Sequence, residues 1–208
     1  AWKWQLGVAG AVTTTGILAA GGGSIVWGLQ QVMAVSALVT AGTVWFLSVG
    51  GAVTLLAYRF YRDPERQSPD RADVIVGPAD GVVIYVRRSE AGVLPVSDKH
   101  GRRYPLAELT KTNLSKQDAV TIGIAMNFAD VHVNRAPCHG EVTFSRRFPG
   151  RFGSLRNPAM EFENERATTV IARNDFEVAV VQIASRLVRQ ISVFVKQGQQ
   201  IAMGQRLG

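Results

Sequence analysis

The chain has 208 residues and a formal net charge of +7, room for one domain of ordinary size with an appendage. Its charges are segregated: residues 4–58 hold no Asp, Glu, Lys or Arg, while Arg59 onward carries 22 of the 23 basic residues and all 16 acidic ones. The single cysteine, Cys138, excludes an intrachain disulfide framework and a cysteine-cluster zinc site. The basic balance does not point to nucleic acid, because the arginines are scattered singly or in pairs with no aromatic-interleaved patch.

Taken in chain order, residues 1–58 read as a membrane-embedded helical hairpin and residues 59–208 as a β-rich domain made for water. The apolar stretch is too long for a signal peptide. Its glycine run, Ala20-Gly21-Gly22-Gly23-Ser24, predicts a break, with a second around Gly28-Leu29-Gln30-Gln31. From Val32 to Tyr58 it provides roughly 40 Å of helix, enough to span hydrocarbon with some tilt. The segment from Trp2 to about Ala20 either spans or lies half-inserted as the other arm. Trp2, Trp4, Trp27 and Trp45, with Tyr58 and Tyr61, suit interfacial belts. Lys3 at one end and Arg59, Arg62 and Arg66 at the other put positive charge on one side of a two-pass hairpin. That predicts a cell-membrane protein with its soluble domain on the cytoplasmic side. A net positive domain beside a bilayer suits anionic headgroups.

After Arg59-Phe60-Tyr61-Arg62-Asp63-Pro64-Glu65-Arg66 and a polar linker, short β-prone runs follow, punctuated by Gly, Pro, Asn and Asp. They are Val74–Val76, Val82–Val86, Gly92–Val96, Val120–Met126, Glu141–Phe144, Thr168–Ala172, Val178–Ala184 and Gln190–Val195. Leu106 to Leu114 is the one short helix expected. The pattern is mainly β, a sandwich or barrel. In the tail, from Val195 to Gly208, glycines spaced for tight turns resemble the hammerhead hairpin of barrel-sandwich hybrids. The tail stops one strand short of that hairpin, which predicts a strand supplied from elsewhere.

The densest chemistry lies in Phe128-Ala129-Asp130-Val131-His132-Val133-Asn134-Arg135-Ala136-Pro137-Cys138-His139-Gly140. Here a β-prone run delivers Asp, His, Asn and Arg into one short segment, a set suited to holding an anion and moving a proton. Read blandly, the same residues form an exposed loop with a capping Asp and a solvated Arg. Cys138 reads as a small buried filler rather than a nucleophile, and His139 and His100, flanked by turn formers, as surface residues.

Taken together, FYRDPER (60–66), VGPADGVV (76–83), FADVHVNRAP (128–137) with HGEV (139–142), PGRF (149–152), ENER (163–166), VQIASRLVR (181–189) and VKQGQQIAMGQRLG (195–208) resemble the membrane-bound phosphatidylserine decarboxylases. The similarity is to the short form shared with archaetidylserine decarboxylases, and it runs over nearly the whole chain. It implies a proenzyme that cuts itself at a Gly-Ser bond, this chain being the large subunit. The serine becomes a pyruvoyl group on a small partner chain that stays bound. The pyruvoyl serine is then expected on the small chain after Gly208, either with Gly208 itself as the cleaved glycine or, as is usual in the family, with about four residues between a glycine so placed and the cleaved pair. The implied reaction converts phosphatidylserine to phosphatidylethanolamine with loss of CO2, through a Schiff base between the substrate amine and the pyruvoyl carbonyl.

Asp80 matches the family's acidic residue implicated in self-processing, and His132 matches the first histidine of its His-containing segment. The longer bacterial members place a second histidine where this chain has Arg135, so a relay from Asp80 through that histidine does not carry over. Either Asp80 works with His132, or Arg135 fixes an anion and another base acts. Ser185 stands where many short-form members have Gly. The resemblance thus names His132 and Asp80 as catalytic and Arg135 as substrate-binding, with no metal, a pyruvoyl cofactor on the small chain, and an anionic phospholipid membrane as partner. It leaves room for a homo-oligomer of the two-chain unit. A non-enzymatic membrane-anchored barrel-sandwich adaptor would need coiled-coil heptads, which are missing. A zinc peptidase would need clustered ligands, and His132 and His139 are too isolated for that.

Overall fold

A computed structural model describes residues 8–32, 36–71, 73–97, 101, 103–116, 118–173 and 176–208. The expectations for Trp2, Lys3, Trp4 and His100 lie outside the described residues. In chain order the elements are α1 (Val8–Val32), α2 (Ala37–Tyr61), β1 (Val82–Arg88), β2 (Val93–Ser97), β3 (Arg103–Pro105), α3 (Leu106–Thr110), β4 (Val120–Ala125), β5 (Gly140–Phe148), α4 (Met160–Glu163), β6 (Arg166–Ala172), β7 (Glu177–Ile183) and β8 (Gln200–Ile201). They form two compact units. One comprises the helices through Asp63 together with Asn127–His132, and the other Pro64–Met126 with Val133–Gly208.

In the first unit α1 runs unbroken through Gly21–Ser24, a correction to the expected break. Glycine costs about 1 kcal/mol against alanine in a water-exposed helix, but small residues also let two apolar helices approach closely. A Cβ on Gly22 would meet Leu47, and one on Gly51 would come within 3.0 Å of Leu18 Cδ1. Gly21 and Gly23 face open space, so the close approach of α1 and α2 rests on Gly51 and, more loosely, on Gly22. Helix α2 starts on Ser36, whose Oγ accepts from Val39 N, and ends at Arg62, which is extended and donates its N–H to Tyr58 O. Pro64 then bars continuation. Leu38, Trp45, Phe46, Val53 and Tyr58 are each more than half exposed, an apolar surface on all sides that water does not favour. Among the described helices, α2 is long and apolar enough to cross a membrane.

The second unit is strand-rich, as the sequence predicts. Its main sheet is four-stranded and antiparallel in the order β7-β6-β5-β8, with β6 buried along almost its whole length. Beneath it Ala136, Cys138, Val142, Ile171, Val195, Ile201 and Leu207 form the largest core cluster. Two ribbons, β1-β4 and β2-β3, complete the unit. The tail makes the two tight turns expected of it: Gly198 and Gly204 have φ of 84° and 79°, a region closed to most side chains.

Two predicted strands are not formed. Among the described residues Val74–Val76 makes a single ladder-like bond, Val76 N to Pro137 O, and Pro78 and Pro137 lack the N–H groups needed to extend it. Gln190–Val195 buries Ile191 and Val195 but shares only the bond from Phe194 N to Leu207 O with the tail. The expected helix from Leu106 stops at Thr110 because Lys111 takes a left-handed conformation.

The ENER segment is structural. The Asn164 amide accepts from Gly153 N and donates to Gly153 O and Ala184 O. Arg166, 1% exposed, donates to the carbonyls of Asn164 and Leu109, capping the end of α3. Thr168 is completely buried, and its Oγ1 has no hydrogen-bond partner among the described residues. An orphaned hydroxyl costs about 1–3 kcal/mol. Thr168→Val keeps the shape and removes the orphan, so it is expected to raise the thermal midpoint by about 2–4 °C, readable by scanning fluorimetry.

Candidate functional site

The segment that follows β4 begins with a closed turn. Asp130 N donates to Asn127 O and Asn127 N donates to Asp130 Oδ2, so the Asp130 carboxylate is spent on holding the turn. His132 stands two residues on in the same unit, half-buried, with Nδ1 2.9 Å from Asp130 O. A carbonyl oxygen only accepts, so Nδ1 carries the hydrogen and Nε2 is left as the nitrogen that exchanges a proton. The imidazole stacks on Phe60 with ring centroids 4.1 Å apart and an interplanar angle of 29°.

In the second unit, the strip Asn134–Pro137 is bound on two sides. Arg135 N donates to Pro78 O and Val76 N to Pro137 O, which fastens the Gly77–Gly81 loop carrying Asp80 to the strip. On the other side Asn134 N donates to Gly208 O, Leu207 N donates to Asn134 O, and Gly204 N donates to Ala136 O, which fastens the tail. The geometry thus brings Asp80's loop and Arg135 together, while His132 belongs to the helical unit.

Asp80 Oδ2 lies 2.7 Å from Arg66 Nη2, with both side chains partly solvated, a pair worth at most about 1 kcal/mol. Arg135 donates from Nη1 to Gly204 O and from Nη2 to Pro64 O, both at 3.1 Å. Beside it lies an open groove of ≈ 590 Å³ lined by Arg66, Ser68, Arg135, Met203 and Arg206. Arg206 pairs with Glu65 at 2.6 Å, so basic groups dominate the groove.

Asn134, one of the polar set in the Phe128–Gly140 segment, has a role that no motif assigns. It is 6% exposed, and its Oδ1 accepts from Gln182 Nε2 at 2.7 Å. The only signal for it was its place between two chemical residues. Cys138 is fully buried in the core, and burial pushes its thiol above the usual range, which disarms it as a nucleophile. His139 is exposed. Among the described residues no group of three or more His, Cys, Asp or Glu could hold a metal ion.

A strand-rich domain carrying a basic groove, a polar strip and an N-terminal apolar helical pair is thereby defined. The family model for phosphatidylserine decarboxylase matches residues 53–208. Among curated proteins, the phosphatidylserine decarboxylase proenzyme of Geobacter sulfurreducens is 36% identical over 172 residues, covering 82% of this chain and 67% of the relative. That of Ralstonia nicotianae is 34% identical over 157 residues, covering 75% of this chain and 63% of the relative. A Methanothermobacter thermautotrophicus protein, provisionally named archaetidylserine decarboxylase proenzyme, is 35% identical over 157 residues, covering 74% and 66%. The chain belongs to the phosphatidylserine decarboxylase family. It spans about two-thirds of the length of these relatives.

Proposed function

We propose that this chain is the large subunit of a self-processing, pyruvoyl-dependent decarboxylase at the cell membrane, which removes the serine carboxylate of an aminophospholipid. Its first substrate is phosphatidylserine, with phosphatidylethanolamine and CO2 as products. The observation that carries this reading is the fastening of both the Asp80 loop and the Leu207–Gly208 tail to the one strip Asn134–Pro137. The relatives, all named as proenzymes, supply the reaction and the expectation of a small second chain. Because relatives named for both acyl-ester and archaeal lipids match, the shared target is the phosphoserine headgroup.

Asp80, His132 and Arg135 can exchange protons and bind an anion, and none of them is an electron sink. That set fits a carbonyl-bearing group delivered on another chain. When bound, the pyruvoyl group supplies the sink for the electrons left by departing CO2. His132 then provides the proton for the substrate α-carbon from Nε2, Nδ1 being committed to Asp130 O. The carboxylate of Asp80 accepts the proton of the serine hydroxyl during self-cleavage. Arg135, held by two carbonyls, supplies the planar positive charge for the headgroup phosphate. Exposure of purified full-length protein to hydroxylamine, which captures carbonyl groups, tests the reading. Release of CO2 from carboxyl-labelled phosphatidylserine is expected to stop; undiminished release would overturn it.

Arg135→Lys keeps the charge and loses the planar fork. The expected result is a KM for dispersed phosphatidylserine raised about tenfold, or about 1.4 kcal/mol, with kcat little altered. Unchanged KM with a lowered thermal midpoint would confine Arg135 to strapping the tail.

Residues 1–58 are proposed to hold the protein in the bilayer, with residues 59–208 doing the chemistry on its cytoplasmic side. The exposed apolar surface of α2 supports this, as does Arg59 in its last turn. Arg59 Nη1 is buried with no partner among the described residues, and a lipid phosphate at the helix end would satisfy it. A lysine at the centre of a spanning helix costs about 2.5–3.5 kcal/mol. Val49→Lys, midway along α2, is therefore expected to reduce the fraction that floats with membranes on a density gradient. Unchanged flotation would place the anchor elsewhere.

A further inference from the structure

Helix α2 does more than anchor: we infer that Phe60, in its last turn, positions the imidazole of His132 for proton delivery. This rests on His132 being the proton donor proposed above. The other aromatics along α2 face outward, Trp45, Phe46, Tyr58 and Tyr61 being 67–80% exposed. Phe60 is turned inward and half-buried. Its ring lies against three others: His132 at 4.1 Å, Phe128 at 4.9 Å and 33°, and Tyr61 edge-on at 5.0 Å and 77°.

An imidazole on a short segment has two soft side-chain torsions, and one hydrogen bond fixes only one edge of the ring. The bond from Nδ1 to Asp130 O supplies that edge restraint, and the turn closed by Asn127 and Asp130 fixes the carbonyl that accepts it. What remains is rotation of the ring about that bond, and the flat face of Phe60 removes it. The two restraints together set the direction in which Nε2 points. A near-parallel π face favours the stacked orientation of the ring over the others that the single hydrogen bond leaves open. Phe60 touches both Phe128, on the turn itself, and His132, so its ring also ties the turn to the histidine. Its backbone is in turn fixed by the helix end, where Arg62 N–H closes on Tyr58 O. The last turn of the apolar helix is thereby part of the apparatus that aims the donor.

The test uses full-length protein in detergent, with Phe60→Leu, Phe60→Tyr and His132→Ala compared. Leucine keeps apolar bulk and loses the flat face; tyrosine keeps the face. Phe60→Leu is expected to lower kcat at least tenfold with KM changed less than twofold, or about 1.4 kcal/mol in the transition state alone, and Phe60→Tyr to restore most of it. A structural role would not produce that split. The spectroscopic signature is a ring-current displacement of the His132 Cε1–H resonance. It is assignable because the chain has only three histidines, and it is expected to vanish in Phe60→Leu and persist in Phe60→Tyr. Normal kcat in Phe60→Leu while His132→Ala is inactive would overturn the positioning role alone. Normal turnover in His132→Ala would overturn the acid assignment and the positioning role with it.

Discussion

His132→Ala is expected to lower the rate of phosphatidylserine decarboxylation by about two to four orders of magnitude, the range for losing a positioned general acid. Self-cleavage and thermal midpoint should be nearly unchanged. The substitution removes one stacking contact and one part-buried hydrogen bond from a half-buried side chain, whereas the packing of this segment is carried by its neighbours. Val131, Asn134, Ala136 and Cys138 are all less than 9% exposed. Because Nδ1 is tied to a carbonyl, the tautomer is settled before substrate arrives and the loss should appear in kcat. A His132→Ala protein that cleaves itself and turns over normally would remove His132 from the mechanism.

The second large effect is expected one step earlier. Asp80→Asn should yield uncut precursor, visible as a single band of full size, and consequently no decarboxylation. The substitution is nearly isosteric, and asparagine can still accept a hydrogen bond from Arg66. The loop itself is held by main-chain bonds from Arg135 N to Pro78 O and from Val76 N to Pro137 O, which the change leaves alone. What is lost is the ability to take up a proton, so failure to cleave would report base chemistry rather than a displaced loop. If Asp80→Asn instead cleaved at the normal rate and then turned over slowly, the carboxylate would belong to decarboxylation.

Much of the β architecture was legible because strand runs carry their own signal. Period-two alternation and bounding Gly, Pro and Asn located β1, β2, β4, β6 and β7 to within a few residues. The errors arose where local signals answer to a different environment. The Gly21–Gly23 run reads as a helix breaker when judged in water, yet α1 continues through it, with Gly22 alone of the three lying against Leu47. Gln190–Val195 has strand-like residues, yet a strand needs a partner ladder, and among the described residues their backbone bond to the tail is the one from Phe194 N to Leu207 O.

Within the candidate site, chemistry was legible and support was not. Asp80, His132 and Arg135 could be named from motifs. That Arg135 spends two donors on the carbonyls of Gly204 and Pro64 could not, nor that Asn134 holds the tail, nor that Phe60 faces His132 across 72 positions of sequence. Such contacts are products of tertiary approach and leave no periodicity in the chain.

The central claim, a self-cleaved enzyme whose electron sink arrives on a second chain, is tested most directly by intact mass of the purified full-length protein under denaturing conditions. The account predicts two chains, the smaller one a few kilodaltons in mass with its N-terminus blocked as a pyruvoyl group. A single uncut chain that still decarboxylates phosphatidylserine would contradict it.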